Sequence, residues 1–285
     1  MLPSFFIIGP PRTGTTWLHE ILRHRASLPK GTKETRFFDI HFQRGLRWYQ
    51  AHYPSPNGTQ VVGEVAPTYF ASRPACHRIQ EVVPTAKVVC IFRNPVDRIV
   101  SLYRVKRAYG FIPWNFEEAL RRDPELIESG RYATHLRAWQ RAFGSDQILT
   151  TFYDDLRSDP QEFVNVLADF IGIPRFTLPT YALKAIYTSE SMTHPRSYYR
   201  THRATALADW LKARRLGHLV GLISSSPIRK LFLGGGARFA QPTPELSKSV
   251  YELFDSEIEQ LETLVNRDLS GWKPSSMEQV HSSNS

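Results

Sequence analysis

A loop near the start of the chain carries the residue types that bind phosphate. It runs from Gly9 to Thr16 with the sequence Gly-Pro-Pro-Arg-Thr-Gly-Thr-Thr, directly after four bulky apolar residues at positions 5–8. Apolar residues then recur at helical spacing from Trp17 to Leu22. A buried strand, a glycine loop and a helix in this order point backbone N–H groups and a helix N-terminus at an anion.

The glycine spacing relates this loop to the loops that bind nucleoside triphosphates, but one residue differs. Gly9 and Gly14 stand five apart, as in G-x-x-x-x-G-K-[ST], and Thr15 replaces the lysine that reaches the β- and γ-phosphates. Arg12 places a cation inside the loop instead. We therefore expect a single 5′-phosphate-type group, bound by Pro11, Arg12, Thr13, Gly14, Thr15 and Thr16. A turn of glycine and proline capped by threonines, without a ligand, is the alternative.

Arg93 follows a second apolar strand, predicted over residues 87–92. Pro95 fits the first position of a helix, with Asn94 as its cap. In an open parallel sheet, ligands bind beyond the carboxyl ends of the strands. Arg93 is therefore expected beside the same crevice as Arg12, where it would bind a second phosphate; a surface ion pair is the alternative.

A carboxylate with basic neighbours lies between these two segments. Glu34 is flanked by Lys33 and Arg36 and is followed by the aromatic pair Phe37 and Phe38. This pattern suits an acid/base group held near an anion site, although a charged loop end would have the same composition.

Composition limits the partners and the classes of fold. The formal net charge is +9 and the pI is about 9.6, which favours nucleotides, acidic sugars, nucleic acid or an anionic membrane as partners. The sequence has no compact Lys/Arg run, which argues against dedicated nucleic-acid binding. Its two cysteines form no C-x-x-C pair, so neither a disulfide framework nor a zinc site is indicated.

The hydrophobic pattern gives the expected location and architecture. No apolar run approaches the ~20 residues of a membrane span, and a strand that begins by residue 4 or 5 leaves no room for a signal peptide, so a cytoplasmic protein is expected. Strands over 5–8, 61–65, 87–92 and 147–153 alternate with helices, among them 132–143 and 244–265. This alternation predicts an α/β fold with a single doubly wound parallel sheet flanked by helices. We expect one domain over 1–273, with a lid or insertion at 189–244, and a disordered tail at 274–285.

Taken together, these motifs resemble the sulfotransferases that use 3′-phosphoadenosine 5′-phosphosulfate (PAPS), especially the carbohydrate branch that acts on heparan sulfate. The similar segments are the loop at 9–16, Lys-Glu-Thr-Arg-Phe-Phe at 33–38, Glu-Val-Ala-Pro-Thr-Tyr-Phe at 64–70, the run from Ile91 to Ser101, and Tyr-Ala-Thr-His at 132–135. The similarity covers residues 4–175 and is weaker to 273. Arg12 stands where many members have lysine, and Val65 where the heparan enzymes have lysine.

The resemblance implies a donor, an acceptor and roles for individual residues. Sulfuryl transfer from PAPS to a hydroxyl or amine, in a carbohydrate or other acceptor, would use Glu34 as general base with Lys33 and Arg12 as catalytic partners and no metal ion. The 3′-phosphate would be bound by Arg93 and Ser101, and a late basic residue, Arg238 or its rival Arg196, would close over the nucleotide. In phenol and steroid sulfotransferases a histidine is the base, for which His41 or His52 are candidates. A small-molecule kinase with an unusual loop, or a non-catalytic nucleotide- or polyanion-binding protein, remains the alternative.

Overall fold

The computed structural model describes residues 1–53, 61–184, 192–213 and 235–273. The chain divides into two compact units. Unit 1 comprises Met1–Arg98, Glu128–Tyr187 and Pro242–Ser285, and unit 2 comprises Ile99–Ile127 and Thr188–Gln241. The predicted tail at 274–285 lies outside the described residues, and the single domain over 1–273 stays a prediction.

Unit 1 contains a four-stranded parallel sheet in the order β2-β1-β3-β4. Its strands are β1 (Phe5–Ile7), β2 (Gly63–Val65), β3 (Lys87–Phe92) and β4 (Ile148–Phe152). The chain winds from β1 outward to β2 and then returns past β1 to β3, so the winding direction reverses between β1 and β3. Such a reversal opens a crevice at the carboxyl ends of the two strands. The predicted doubly wound α/β sheet is confirmed.

Thirteen α-helices lie within the described residues. They are α1 (Thr15–Leu22), α2 (Gly45–Gln50), α3 (Arg73–Val82), α4 (Pro95–Ala108), α5 (Phe116–Arg122), α6 (Pro124–Glu128), α7 (Tyr132–Phe143), α8 (Tyr153–Ser158), α9 (Pro160–Ile171), α10 (Thr180–Lys184), α11 (Tyr198–Ala213), α12 (Pro244–Glu252) and α13 (Asp255–Val265). None of these described helices has the length and apolar character needed to cross a membrane.

Burial on both faces explains why the strands are short apolar runs. Every residue of β1 is fully buried, and α1 and α9 pack against the sheet through one apolar cluster. At Gly63 of β2 the ring of Phe5 occupies the space that a side chain would need. The glycine therefore lets the two strands pair with the large ring between them.

The predicted helix over 244–265 is wrong, because the structure has two helices there. The first, α12, ends at Glu252, and the second, α13, begins at Asp255. Phe254 at the break is fully buried, and its ring carbon Cε1 lies 2.6 Å from where a Cβ on Gly130 would stand. Docking of this ring against Gly130 breaks a helix that the periodic pattern alone would continue.

Unit 2 has a small sheet and helices of its own. Strands β5 (Thr193–Pro195) and β6 (Gly235–Arg238) pair antiparallel. The Tyr103 ring of α4 contacts Phe116 and Phe239, with centroids 5.1 and 5.9 Å apart. The insertion predicted at 189–244 therefore contains strand and helix where it is described. Its role as a lid stays a prediction.

Candidate active site at the carboxyl ends of β1 and β3

The loop after β1 is held in one conformation by close packing. A Cβ on Gly9 would lie 2.5 Å from the backbone nitrogen of Ile91 in β3, so only glycine lets the loop leave the sheet there. The Thr13 hydroxyl donates to the carbonyl of Pro10 at 2.8 Å, inside the protein. This hydroxyl is thus used to shape the loop rather than presented at its surface.

Two residues of the loop have left-handed backbone angles. Gly14 has φ 93°, as glycine allows, and Arg12 has φ 78°, which is uncommon for a residue with a side chain. Such strained residues persist only where their surroundings hold them, and they concentrate at binding sites. Gly14 is also the N-cap residue of α1. Because glycine has no side chain, it caps none of the first backbone N–H groups of the helix.

Arg93 lies where the sequence predicts, at the carboxyl end of β3 beside this loop. Its Nη1 donates to the carbonyl of Arg12 at 3.2 Å, and its guanidinium lies 4.6 Å from the ring centroid of Tyr153. The carbonyl of Arg93 accepts from the Tyr132 hydroxyl at 2.9 Å, which anchors the backbone. The buried Nε of Arg93 has no hydrogen-bond partner among the described residues. The structure therefore brings Arg12 and Arg93 together and leaves Arg93 with capacity for another acceptor.

A pocket lies between the loop, the first turn of α1 and these side chains. It is lined by Arg12, Gly14, Thr15, Thr16, Trp17, Arg93 and Tyr153. The wall thus combines two guanidinium groups, two threonines and a helix N-terminus, which is the chemistry of an anion site. Pro11 is not among the lining residues.

Lys33 connects Glu34 to this pocket. Its Nζ lies 3.2 Å from the Thr16 hydroxyl oxygen in the first turn of α1 and 3.2 Å from Oε1 of Glu34. Both side chains are partly exposed, at 28% for Lys33 and 22% for Glu34. The carboxylate is therefore placed next to the anion site while it remains open to a second molecule.

Glu64 of β2 begins the segment at 64–70 that carries part of the resemblance, but no role was predicted for it. Its carboxylate is fully buried, and Oε1 accepts from the backbone N–H and the hydroxyl of Thr35 at 2.8 and 2.6 Å. Oε2 accepts from the Tyr49 hydroxyl at 2.7 Å. Burial raises the pKa of Glu64 above its ordinary value, and the hydrogen bonds from Thr35 and Tyr49 partly offset that rise. A charged residue within a short apolar strand is the sequence signal that would have marked it.

The aromatic Tyr153 is a second residue that sequence reasoning missed. It directly follows β4, and it reaches the pocket through its stacking with Arg93. The rule that led to Arg12 and Arg93, that ligands bind at the carboxyl ends of strands, applies equally to β4 and would have found it.

The remaining predicted residues belong to unit 2. Ser101 is buried on α4, and Arg238 is exposed at the end of β6. Arg196 donates from Nε to the carbonyl of Gly235 at 3.1 Å, which joins it to the same small sheet as Arg238. The roles of Ser101, Arg238 and Arg196 toward a nucleotide stay predictions.

The histidines considered as alternative bases lie around Trp48. The His41 and His52 rings are 5.6 and 4.4 Å from the Trp48 ring, centroid to centroid. Burial and the nearby Arg44 lower the pKa of His41. Neither histidine lines the pocket, and among the described residues no three His, Cys, Asp or Glu side chains group closely enough to hold a metal ion.

Residues 2–205 match the family model of the sulfotransferase domain. The chain therefore belongs to the sulfotransferase-domain family, which confirms the resemblance drawn from the motifs.

Two relatives show which branch the chain is similar to. It is 30% identical over 206 residues to the bifunctional heparan sulfate N-deacetylase/N-sulfotransferase 2 of Bos taurus, a match that covers 64% of this chain and 23% of that protein. It is 31% identical over 195 residues to the corresponding enzyme 4 of Mus musculus, which covers 60% and 22%. The match thus spans less than a quarter of the length of these relatives.

A solved structure agrees with the fold. The sulfotransferase from Alicyclobacillus acidocaldarius superposes with a TM-score of 0.69, covering 95% of this chain and 99% of that one at 21% identity. At this identity the match shows the common fold.

Proposed function

We propose that this chain transfers a sulfuryl group from PAPS to a hydroxyl or amine of a carbohydrate acceptor, with Glu34 as the general base. One observation carries the proposal. Lys33 bridges the Thr16 hydroxyl and the Glu34 carboxylate, so the acid/base group lies at the anion-binding turn of α1. Membership of the sulfotransferase-domain family supports the same chemistry.

The pocket residues fit a donor that carries phosphate at two positions. Arg12, Thr15, Thr16 and the first N–H groups of α1 would bind the 5′-phosphosulfate end. Arg93 would bind the 3′-phosphate, for which its buried and unpartnered Nε offers a donor. Ser101 is proposed as the partner of Arg93 and Arg238 as the closing cation, on the resemblance alone. PAPS, when bound, supplies the sulfuryl group.

The steps of the transfer itself are assigned to Glu34, Lys33 and Arg12. Glu34 would accept the proton of the attacking hydroxyl or amine, a role worth roughly 10²–10⁴-fold in rate. Lys33, 3.2 Å from that carboxylate, would orient it toward the acceptor. Arg12 and the loop N–H groups would stabilise negative charge that develops on the departing oxygen. This scheme assigns no step to a metal ion.

A carbohydrate acceptor is proposed because both named relatives act on heparan sulfate. Exposed Arg44 and Arg47 and the half-buried Trp48 support it, since the Arg44 guanidinium lies 5.0 Å from the Trp48 ring centroid. A ring face and cations suit an anionic sugar chain. A cytoplasmic location and the absence of nucleic-acid binding are retained as proposals.

The test is transfer of radiolabelled sulfate from PAPS to N-desulfated heparan sulfate by wild type, Glu34→Gln and Glu20→Gln. Glu20 lies on α1 and is the matched control, because it is half-exposed and pairs with Arg23. We expect Glu34→Gln to lose on the order of 10²-fold or more in kcat, with nucleotide affinity retained, and Glu20→Gln to behave as wild type. Equal kcat in all three would contradict the role of Glu34. Binding of ATP with Mg²⁺ in place of PAPS would indicate a kinase, and nucleotide binding without turnover on any acceptor would indicate a binding protein.

A further inference from the structure

We infer that Glu64 and Thr35 act as positioning residues for Glu34: the buried carboxylate fixes the backbone directly after the base. The inference rests on the proposed role of Glu34. Neither residue touches the pocket, so their effect would pass through the position of the Glu34 backbone.

Two hydrogen bonds hold Thr35 to one carboxylate oxygen of Glu64. Its N–H and its hydroxyl both donate to Oε1 of Glu64, at 2.8 and 2.6 Å, and its Oγ1 also accepts from the N–H of Phe37 at 3.2 Å. Thr35 follows Glu34 immediately, so these bonds fix one end of the peptide that carries the base. Two short bonds from one residue to a single buried oxygen suit an anchor.

Glu64 is itself held firmly enough to serve as that anchor. It lies in β2, where it is paired in register with Phe6 of β1. The Tyr49 hydroxyl donates to Oε2 at 2.7 Å, and the Tyr69 hydroxyl lies 3.4 Å from both oxygens. The anchor is therefore part of the sheet rather than of a loop.

The segment needs such an anchor because its backbone is strained. Arg36, the next residue after Thr35, has φ 53° in the left-handed region, which a residue with a side chain adopts at a cost. Burial of a carboxylate carries a desolvation cost, and apolar residues stabilise a core at least as well. A function in placing Glu34 explains why the carboxylate is there.

The sharpest test changes the Thr35 hydroxyl alone. Thr35→Val keeps the branched shape and removes the donor, while Thr35→Ser keeps the donor and is the matched control. We expect Thr35→Val to lower kcat between about 10-fold and 100-fold, since displacement of a catalytic group by ~1 Å costs that much. The KM for PAPS and the affinity for 3′-phosphoadenosine 5′-phosphate should not change. Thr35→Ser should retain kcat.

Hydrogen exchange supplies a second readout that does not depend on turnover. Exchange over residues 33–38 should be faster in Thr35→Val than in Thr35→Ser. If Thr35→Val does not fold, Thr35→Ala removes the same hydroxyl with less demand for space and carries the same expectation. Wild-type kcat with unchanged exchange in the Val or Ala variant would overturn the inference. Absence of turnover in wild type would instead overturn the proposed function, so the two failures are distinguishable.

Discussion

Replacement of Arg93 by alanine tests the nucleotide site most directly. The variant removes the guanidinium that stacks 4.6 Å from the Tyr153 ring and donates to the Arg12 carbonyl at 3.2 Å. It leaves the backbone of the residue unchanged, and with it the carbonyl that accepts from Tyr132. The substitution therefore removes the pocket contacts and the 4.0 Å ion pair with Asp97 but leaves the backbone anchor in place.

The size of the effect follows from burial and charge. Removal of one member of a buried, hydrogen-bonded charge pair costs about 2–5 kcal/mol. Arg93 belongs near the lower end, because its side chain is 20% exposed and Asp97 lies 4.0 Å away as a competing anion. A loss of about 2–3 kcal/mol corresponds to roughly 30- to 150-fold weaker binding of 3′-phosphoadenosine 5′-phosphate.

Isothermal titration calorimetry without metal ions measures this loss. Arg93→Lys keeps the charge but not the planar fork, so an intermediate affinity is expected. Arg157→Ala changes an exposed arginine of α8 and serves as the control for net charge. If Arg93→Ala binds the nucleotide as tightly as Arg157→Ala does, Arg93 is not a ligand of the phosphate and the assignment of the pocket fails.

Two further predictions concern the stability of the elements that build the site. Gly14→Ala should lower the melting temperature more than Gly172→Ala. Both glycines are in the left-handed region, with φ 93° and 81°, but only at Gly14 would the new Cβ meet a neighbour, Leu156 Cδ2 at 2.7 Å. The difference should be about 1–3 kcal/mol, and equal losses would contradict the tight packing of the loop. Burial raises the pKa of Glu64 in the folded state, so the native protein holds this proton more tightly than the unfolded chain does. The stability that Glu64 contributes therefore falls as pH rises from its unfolded pKa through the raised one. Denaturant unfolding of wild type and Glu64→Gln at several pH values isolates this contribution. The unfolding free energy of wild type relative to Glu64→Gln should fall as pH rises through this range, by at most about 1.4 kcal/mol per pH unit for one proton. A difference that does not change with pH would argue that Glu64 ionises as it does in the unfolded chain.

Elements with strong local signals were predictable from the sequence. The bounds of β3 at 87–92 and of α7 at 132–143 agree with the prediction. The start of α4 at Pro95 also agrees, and the Asn94 side chain accepts from the N–H of Val96 at 2.9 Å as expected of a cap. In each case the sequence pattern that signals the element is local, although the strands that pair with β3 are distant in the chain.

Elements that depend on distant contacts were not predictable in the same way. The break at Phe254 depends on Gly130, more than a hundred residues earlier in the sequence, and nothing in the local period announces it.

For the candidate site, the sequence alone determined the types of group and the strand ends that carry them. The glycine spacing around Arg12, the position of Arg93 after a buried strand, and the carboxylate between two cations are all local patterns. These patterns are enough to predict an anion-binding loop, because a glycine turn before a helix N-terminus is specified by neighbouring residues.

Only the tertiary structure decided which of these groups meet. The crevice between β1 and β3 comes from the strand order, and the contact of Lys33 with Thr16 and the bonds of Thr35 to Glu64 join residues 17 and 29 positions apart. A buried carboxylate such as Glu64 is stable only when several distant donors converge on it. That convergence is a property of the folded chain, since Thr35 and Tyr49, which lie 29 and 15 residues before Glu64 in the sequence, both donate to its carboxylate.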